Sequence, residues 1–227
     1  MAQHEFLHEN DCMAAVLRKL PLFSPMTVWW RALILLCCIP KHVETSPADQ
    51  YKNSFDLTWT TRNRVQNLLM EYKEHQLGNK EFEDRGRHLK DLPLLSTDFY
   101  HWLQLTDWER LHAALRDIQS YWNMLEWKKR QLAKEETKNE VTTLPQSINN
   151  IQLNLRDLMK KVKFQMKHMK SSWKSPTSNT LDLETNSKTA WDSRVEGYII
   201  LRDLNLYLTK LARDFLLLAS KTRLTQY

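Results

Sequence analysis

The last helical candidate, WDSRVEGYIILRDLNLYLTKLARDFLLLASKT at residues 191–222, decides the fold. One apolar set in it recurs at alternating steps of three and four, the period of a buried helical face. This set consists of Leu201, Leu204, Leu208, Leu211, Phe215 and Leu218. A second apolar set lies roughly opposite: Trp191, Val195, Tyr198, Ile199, Leu206, Leu216 and Leu217. One bundle core cannot use both faces, so the second face predicts either further helices that cover it or another protein.

The composition favours an all-α protein. Only 3 of the 227 residues are Gly, and no segment shows the sustained apolar and polar alternation of half-buried strands. The net charge of +6 does not by itself identify a partner, because Lys and Arg are mixed with Asp and Glu along the chain. We therefore predict one helical core.

Three further helices are predicted, at residues 54–75, 107–133 and 145–170, ahead of the one at 191–222. The second begins at a capping box in which Thr106 and Glu109 satisfy each other's backbone donors. The three connections are long, short and long. This alternation indicates a long-chain four-helix bundle with up-up-down-down topology.

The N-terminal part has the layout of a secretory leader. Arg31 precedes a short apolar run at residues 32–39, and a polar break follows it. We predict a leader over residues 1–42 that includes a signal peptide, a mature domain over residues 43–227, and a secreted, extracellular protein. The mature domain would then lack cysteine, because the leader contains all three, Cys12, Cys37 and Cys38. The alternative is that residues 32–39 form a core helix of an intracellular basic scaffold.

The sequence lacks the patterns of catalytic sites. It contains no G-x-x-x-x-G-K-[ST], G-x-S-x-G, H-E-x-x-H or C-x-x-C motif. His101 and His112 are not accompanied by the carboxylates or cysteines that would make them metal ligands. We therefore expect no enzymatic activity, no metal and no cofactor, and a function that depends on binding.

The charges suggest a second class of partner. The polar face of the third helix carries Arg156, Lys160, Lys161, Lys163, Lys167 and Lys170. This clustering predicts binding of heparin-like polyanions through counterion release, and no nucleic acid, because Lys outnumbers the Arg that reads base edges. Elsewhere, adjacent opposite charges such as Arg213 with Asp214 are interpreted as solvated.

Three segments resemble a known family of helical cytokines. They are FYHWLQLTDWERL at residues 99–111, LRDLMKKVKFQM at 155–166, and the last helix as far as Lys221. They are similar to the interleukin-27 alpha subunits, which belong to the interleukin-6 and interleukin-12 group. The likeness extends from about Lys52 to Lys221. It departs from mammalian members at residues 171–189, which are rich in Ser and Thr and lack their acidic run.

The resemblance implies a cytokine subunit that forms a heterodimer with a soluble cytokine-receptor-like chain and binds class I cytokine receptors to trigger immune signalling. It places the soluble chain at the end of the last helix and the first connection, and one receptor on the first and third helices. It places the shared transducer of the interleukin-6 family at Trp191. The exposed positions expected to bind the soluble partner are Lys210, Arg213, Leu217 and Lys221.

Two alternatives remain open at this point. Trp191 could cap the core instead of binding a receptor, because aromatic residues also close the ends of helical cores. The chain could also act as a single-chain cytokine of interleukin-6 type, which needs no soluble partner.

Overall fold

The computed structural model describes residues 46–95, 98–136, 143–169 and 189–224, and the predicted leader lies outside them. Five helices account for most of these residues: α1 (Pro47–Leu77), α2 (Phe99–Gln104), α3 (Asp107–Glu136), α4 (Leu144–Met169) and α5 (Ala190–Leu224). None of the described residues forms a β-strand. The prediction of an all-α protein is confirmed.

α1 begins at Pro47, earlier than the predicted residue 54. The Ser46 hydroxyl caps the helix by accepting the Asp49 N–H at 3.2 Å, and Pro47 occupies the first turn, where no backbone donor is needed. Tyr51 is buried and extends the core face into this added segment. Gly78 ends the helix with a φ of 65°, a left-handed conformation that Gly adopts without steric cost.

Side-chain caps also begin α3 and α5. Thr106 donates its N–H to Glu109 Oε2 at 2.9 Å, and Glu109 returns its N–H to Thr106 Oγ1 at 3.2 Å. At α5, Thr189 Oγ1 accepts the Asp192 N–H at 3.0 Å. These hydrogen bonds satisfy backbone donors that a helix N-terminus leaves without intrahelical partners.

α5 runs antiparallel to both α1 and α3. Along α5, hydrogen-bond partners occur progressively earlier in the other two helices. The pairs, in order along α5, are Ser193 with Lys128, Arg194 with Tyr72, Thr209 with Arg62, and Lys221 with Asp107. α1 and α3 are therefore parallel to each other.

α4 is antiparallel to α1 and α3 in the same way. The pairs, in order along α4, are Gln152 with Lys129, Asn154 with Arg64, and Gln165 with Ser54. α4 and α5 therefore point in one direction and α1 and α3 in the other, which confirms the up-up-down-down topology. Among the described helices, α1 does not pack on α3, and α4 does not pack on α5, so these two pairs lie on the diagonals of the bundle.

The first apolar face of α5 is the core stripe that the sequence predicts. Each of its six members, from Leu201 to Leu218, is at most 2% exposed. They pack in one cluster with large side chains such as Tyr72 and Tyr121. Full burial of a Leu or Phe side chain stabilises the folded state by roughly 1.5–3 kcal/mol, so this stripe is a main source of stability.

The second apolar face of α5 is divided. In its first half, the chain itself covers every member except Trp191. Val195, Tyr198 and Ile199 are buried, and the ring of Phe82, from the first connection, stands edge-on to Tyr198 at 5.0 Å. Arg202 fastens the same connection by donating to the backbone carbonyls of Asp84 and Arg87. The second half is open, since Leu206 and Leu216 remain half exposed.

No helix in the described part of the chain is both long and apolar enough to cross a membrane.

Candidate functional site

An open groove of about 440 Å³ lies beside the uncovered half of α5. Its walls come from the end of the first connection, from α2 and from the middle of α5. The lining residues are Leu95, Phe99, Trp102, Leu206, Lys210 and Arg213. The groove therefore combines apolar and aromatic walls with two cationic side chains, a composition common at protein interfaces.

α2 is held in place by a buried ion pair. Asp214 Oδ1 accepts from Arg110 Nη1 and from the indole Nε1–H of Trp102, both at 2.6 Å. Arg110 Nη2 donates to the backbone carbonyl of Trp102 at 2.7 Å, and its guanidinium lies 4.8 Å from the Trp102 ring centroid. The Arg110 and Asp214 side chains are only 1% and 8% exposed. We call Trp102, Arg110 and Asp214 the α2 anchor.

The interpretation of Asp214 as a solvated charge is therefore wrong. Its sequence neighbour Arg213 faces the groove, while Asp214 faces α3, because consecutive residues of a helix are about 100° apart. A buried carboxylate needs a partner, and Arg110 provides it from a different helix. Adjacency in sequence therefore does not identify the partner of Asp214.

The α2 anchor turns the other aromatic residues of α2 towards solvent. Phe99 and Tyr100 are 62% and 73% exposed, and the Phe99 ring stacks on Trp102 with centroids 5.9 Å apart. The Asp98 carboxylate caps the helix by accepting the Tyr100 N–H at 3.0 Å. Apolar rings that are both exposed and fixed lose little conformational freedom when a partner covers them.

The four residues predicted to bind a partner share one face of α5. Lys210, Arg213, Leu217 and Lys221 recur at steps of three, four and four, and Leu206 extends the row by one turn. Of these, Lys210, Arg213 and Leu206 line the groove. Leu217 is half-buried, and Lys221 donates to Asp107 Oδ1 of α3 at 2.8 Å. The cationic group of Lys221 is thus already engaged within the chain.

Lys210 lies close to a buried carboxylate on α3. Burial raises the pKa of Asp117, and the positive charges of Arg116 and Lys210 act against that rise. Asp117 is almost fully buried, so its charge is stabilised by few waters and depends on these cations. One role of Lys210 is therefore to compensate the charge of Asp117.

Trp191 occupies the first turn of α5, at the far end of the helix from the groove. It is 46% exposed, and its ring meets Phe82 edge-on at 6.1 Å. The half-buried Phe82 in turn packs on the buried Tyr198, so this aromatic pair supports one side of Trp191 while the other side is open. With a rise of 1.5 Å per residue, Trp191 is about 33 Å from Arg213 along the helix axis.

The histidines singled out in the sequence have ordinary surroundings. His101 is exposed on α2, and His112 stacks on Trp108 with ring centroids 4.9 Å apart. Across residues 46–95, 98–136, 143–169 and 189–224, no group of His, Cys, Asp or Glu side chains has a geometry that could hold a metal ion.

Part of the groove is absent from the sequence-based prediction. Phe99 and Trp102 occur in the segment FYHWLQL, whose density of aromatic residues was a visible signal, but the first connection offers no helical period from which to assign them to a surface. Leu206 appears there only as a member of the second apolar set. The position of α2 depends on Asp214, 112 residues after Trp102 in the chain.

The sequence model of the interleukin 11 family matches residues 47–222, which include α1 and nearly all of α5. The chain therefore belongs to the interleukin 11 family. Proteins of this family are helical cytokines of interleukin-6 type, which bind class I cytokine receptors; they are secreted signalling proteins and not enzymes. The resemblance to the interleukin-6 group is thus confirmed at that level, and the matching family is interleukin 11 instead of interleukin-27 alpha. No curated protein matched the sequence.

Proposed function

We propose that this member of the interleukin 11 family signals by joining two receptor chains through two separate surfaces of α5. The observation that carries the proposal is that α5 has two exposed apolar sites, one at Trp191 and one at the groove. Trp191 contacts Phe82 of the first connection, and Leu95 at the end of that connection lines the groove. Residues 1–42 would serve as a leader with a signal peptide, and the domain over residues 43–227 would be the secreted form.

The first surface is the groove together with the row that extends from it. We define it by Leu206, Lys210, Arg213, Leu217 and Lys221 on α5, with Phe99 and Trp102 on α2. Interface hot spots are enriched in aromatic residues and Arg, and they require a rigid setting to contribute fully. The α2 anchor supplies that setting, since a buried ion pair fixes the aromatic wall opposite the cations.

The second surface is centred on Trp191, for which we propose contact with the shared transducer of the interleukin-6 family. Phe82 packs against one side of the Trp191 ring and limits its rotamers. The exposed side therefore offers a large apolar area that loses little conformational entropy on binding. Because Trp191 retains an open side, this role is compatible with its partial packing against the core.

The first surface could bind either a membrane receptor or a soluble receptor-like chain. We favour the membrane receptor and a single-chain cytokine, because the chain covers Val195, Tyr198 and Ile199 by itself. The heterodimer with a soluble cytokine-receptor-like chain is the second candidate, and the half-exposed Leu206 and Leu216 favour it. Static light scattering on the chain secreted alone separates the two: abundant monomer supports the single chain, whereas poor secretion rescued by a receptor-like chain supports the heterodimer.

The two-surface proposal is tested on cells that respond to the wild-type chain. Trp191→Ala should abolish signalling while labelled protein still binds the cells and its circular dichroism is unchanged. Phe99→Ala with Arg213→Glu should instead lower cell binding by more than about tenfold, since hot-spot truncations cost about 2 kcal/mol or more.

A control for the groove variant is Met70→Ala with Lys52→Glu, which makes comparable changes at exposed positions of α1. Both positions are at least about 120° around α1 from Ser54 and Arg64, which bond to α4. It should bind like the wild type. Loss of helical structure in Trp191→Ala would show that Trp191 is structural. Equal loss of cell binding in the groove variant and its control would contradict the first surface.

A further inference from the structure

A straight row of cations runs along the outer surface of α4. Arg156, Lys160, Lys163 and Lys167 recur at steps of four, three and four, and all four are exposed. At 1.5 Å per residue the row is about 16 Å long. The one carboxylate within α4 is Asp157, which forms a solvent-exposed ion pair with Lys160 at 3.0 Å. The row therefore presents concentrated positive charge with little internal compensation.

The row lies on the α3 side of α4. Gln152, which marks this side, donates to the Trp122 carbonyl of α3 and accepts from Lys129. At 100° per residue, the row falls within about 80° of Gln152 around the helix axis. It is at least about 120° from Asn154 and Gln165, the α4 residues that bond to α1.

This position leaves both α5 surfaces free. α4 and α5 lie on a diagonal of the bundle and do not pack together in the described part of the chain. A ligand on the row would therefore contact neither Trp191 nor the groove. It would also avoid the face shared by α1 and α4, which the family resemblance assigned to a receptor.

Two lysines that the sequence grouped with this face do not contribute to the row. Lys161 is half-buried and points to the opposite flank of α4, about 100° beyond Lys160. Lys170 lies outside the described residues. The cationic surface is therefore narrower and straighter than the composition of the helix alone implies.

We propose that this row binds a linear sulfated polysaccharide of the heparan sulfate type while the α5 surfaces bind receptors. A straight row of mostly Lys side chains complements a linear chain of sulfate groups, and binding would release the counterions that the sulfates hold. Such polysaccharides are extracellular, where cytokines of this family act.

A membrane surface fits the row less well. Membrane-surface helices insert an apolar face beside their basic one, but the apolar face of α4, from Ile148 through Leu155 and Val162 to Met166, is at most 1% exposed and belongs to the core. Beside the row, α4 exposes two apolar side chains, Leu153 and Phe164, at 40% and 51%. Two side chains are too few to form the continuous apolar face that a membrane-surface helix inserts.

The test compares two variants of the full secreted chain with equal net charge. The first replaces the row: Arg156→Gln, Lys160→Gln, Lys163→Gln and Lys167→Gln. The second replaces four exposed cations elsewhere: Lys52→Gln, Lys80→Gln, Arg85→Gln and Arg194→Gln. Gln keeps a helix propensity close to that of Lys and Arg, so both variants should remain folded by circular dichroism.

Binding to a heparin oligosaccharide is measured by titration at several salt concentrations. The row variant should lose affinity for the heparin oligosaccharide. The magnitude of its slope of log affinity against log salt concentration should fall by about one for each lost contact. The control variant should keep an affinity and a salt slope close to those of the wild type. The row variant should also retain signalling on responsive cells in the absence of the polysaccharide.

Three results would overturn the proposal. Equal losses in the two variants would show that net charge alone drives binding. Tighter wild-type binding to a single-stranded DNA oligonucleotide of matched charge, or to phosphatidylserine vesicles, would assign the row to another polyanion. Competition between the heparin oligosaccharide and cell-surface receptor binding would show that the surfaces overlap.

Discussion

Asp214→Ala is expected to destabilise the protein strongly, because it removes the acceptor from the α2 anchor. The Arg110 guanidinium, 1% exposed, would lose its 2.6 Å ion pair and remain as an uncompensated buried charge. Breaking a buried pair in this way costs about 3–5 kcal/mol. With a urea dependence of about 2 kcal/mol per molar, the unfolding midpoint should fall by about 2 M.

The measurement is urea unfolding followed by far-ultraviolet circular dichroism, together with cell binding under native conditions. Loss of the Trp102 hydrogen bond should also loosen α2, so binding through the groove should fall even where the bundle remains folded. A destabilisation below about 1 kcal/mol would refute the reasoning, because that value is typical of a solvated surface pair.

A double variant, Arg110→Met with Asp214→Leu, separates stability from the placement of α2. Replacing both charges with apolar side chains of similar size should restore stability to within about 1 kcal/mol of the wild type, since no buried charge remains. The Trp102 indole N–H would still lack its acceptor, so cell binding should stay low. Recovery of both properties would show that α2 does not depend on the anchor.

Two further predictions concern other parts of the bundle. Gly197→Ala should lower the free energy of unfolding by about 1–3 kcal/mol in thermal unfolding, because its Cβ would overlap the Tyr72 hydroxyl and lie 2.7 Å from Lys128 Cε. This loss should exceed the gain from the better helix propensity of Ala. A gain in stability would show that these side chains move aside freely. For Glu126, burial favours a higher pKa, but hydrogen bonds from Lys129, Gln152 and Arg130 outweigh it and lower the pKa below 4.5. The stability that Glu126 contributes is therefore present above pH 4.5 and disappears as the pH falls through the lowered pKa. Glu126→Gln should thus lower the free energy of unfolding at pH 7 but not near pH 2. Urea unfolding at the two pH values measures this difference.

The bundle could be predicted from the sequence because its signals are local. The step of three and four from Leu201 to Phe215 lies within one helix, and the capping box at Thr106 spans a single turn. The topology followed from the lengths of the connections. The early start of α1 is not predicted because its capping signal, Ser46 and Pro47, lies just past the predicted leader and ahead of the apolar period that indicates the helix.

The groove could not be predicted because it depends on contacts between distant segments. Neither Trp102 nor Asp214 carries a local sign that they share a hydrogen bond across 112 residues. In the same way, no local sequence pattern predicts that Arg202 donates a hydrogen bond to the first connection and so holds it against α5. Periodicity identifies which face of a helix is apolar, but not which segment of the chain will cover it.

Because α5 is continuous between its two surfaces, it fixes both the distance and the angle between them. A single inserted residue between Trp191 and Leu206 would rotate one surface by about 100° relative to the other and lengthen their separation by 1.5 Å. Substitutions would leave this relation intact. Natural variants of the cytokine should therefore accumulate amino-acid exchanges along α5 but avoid insertions and deletions, and synthetic variants of altered length offer a way to change the angle at which two receptors meet without altering either contact.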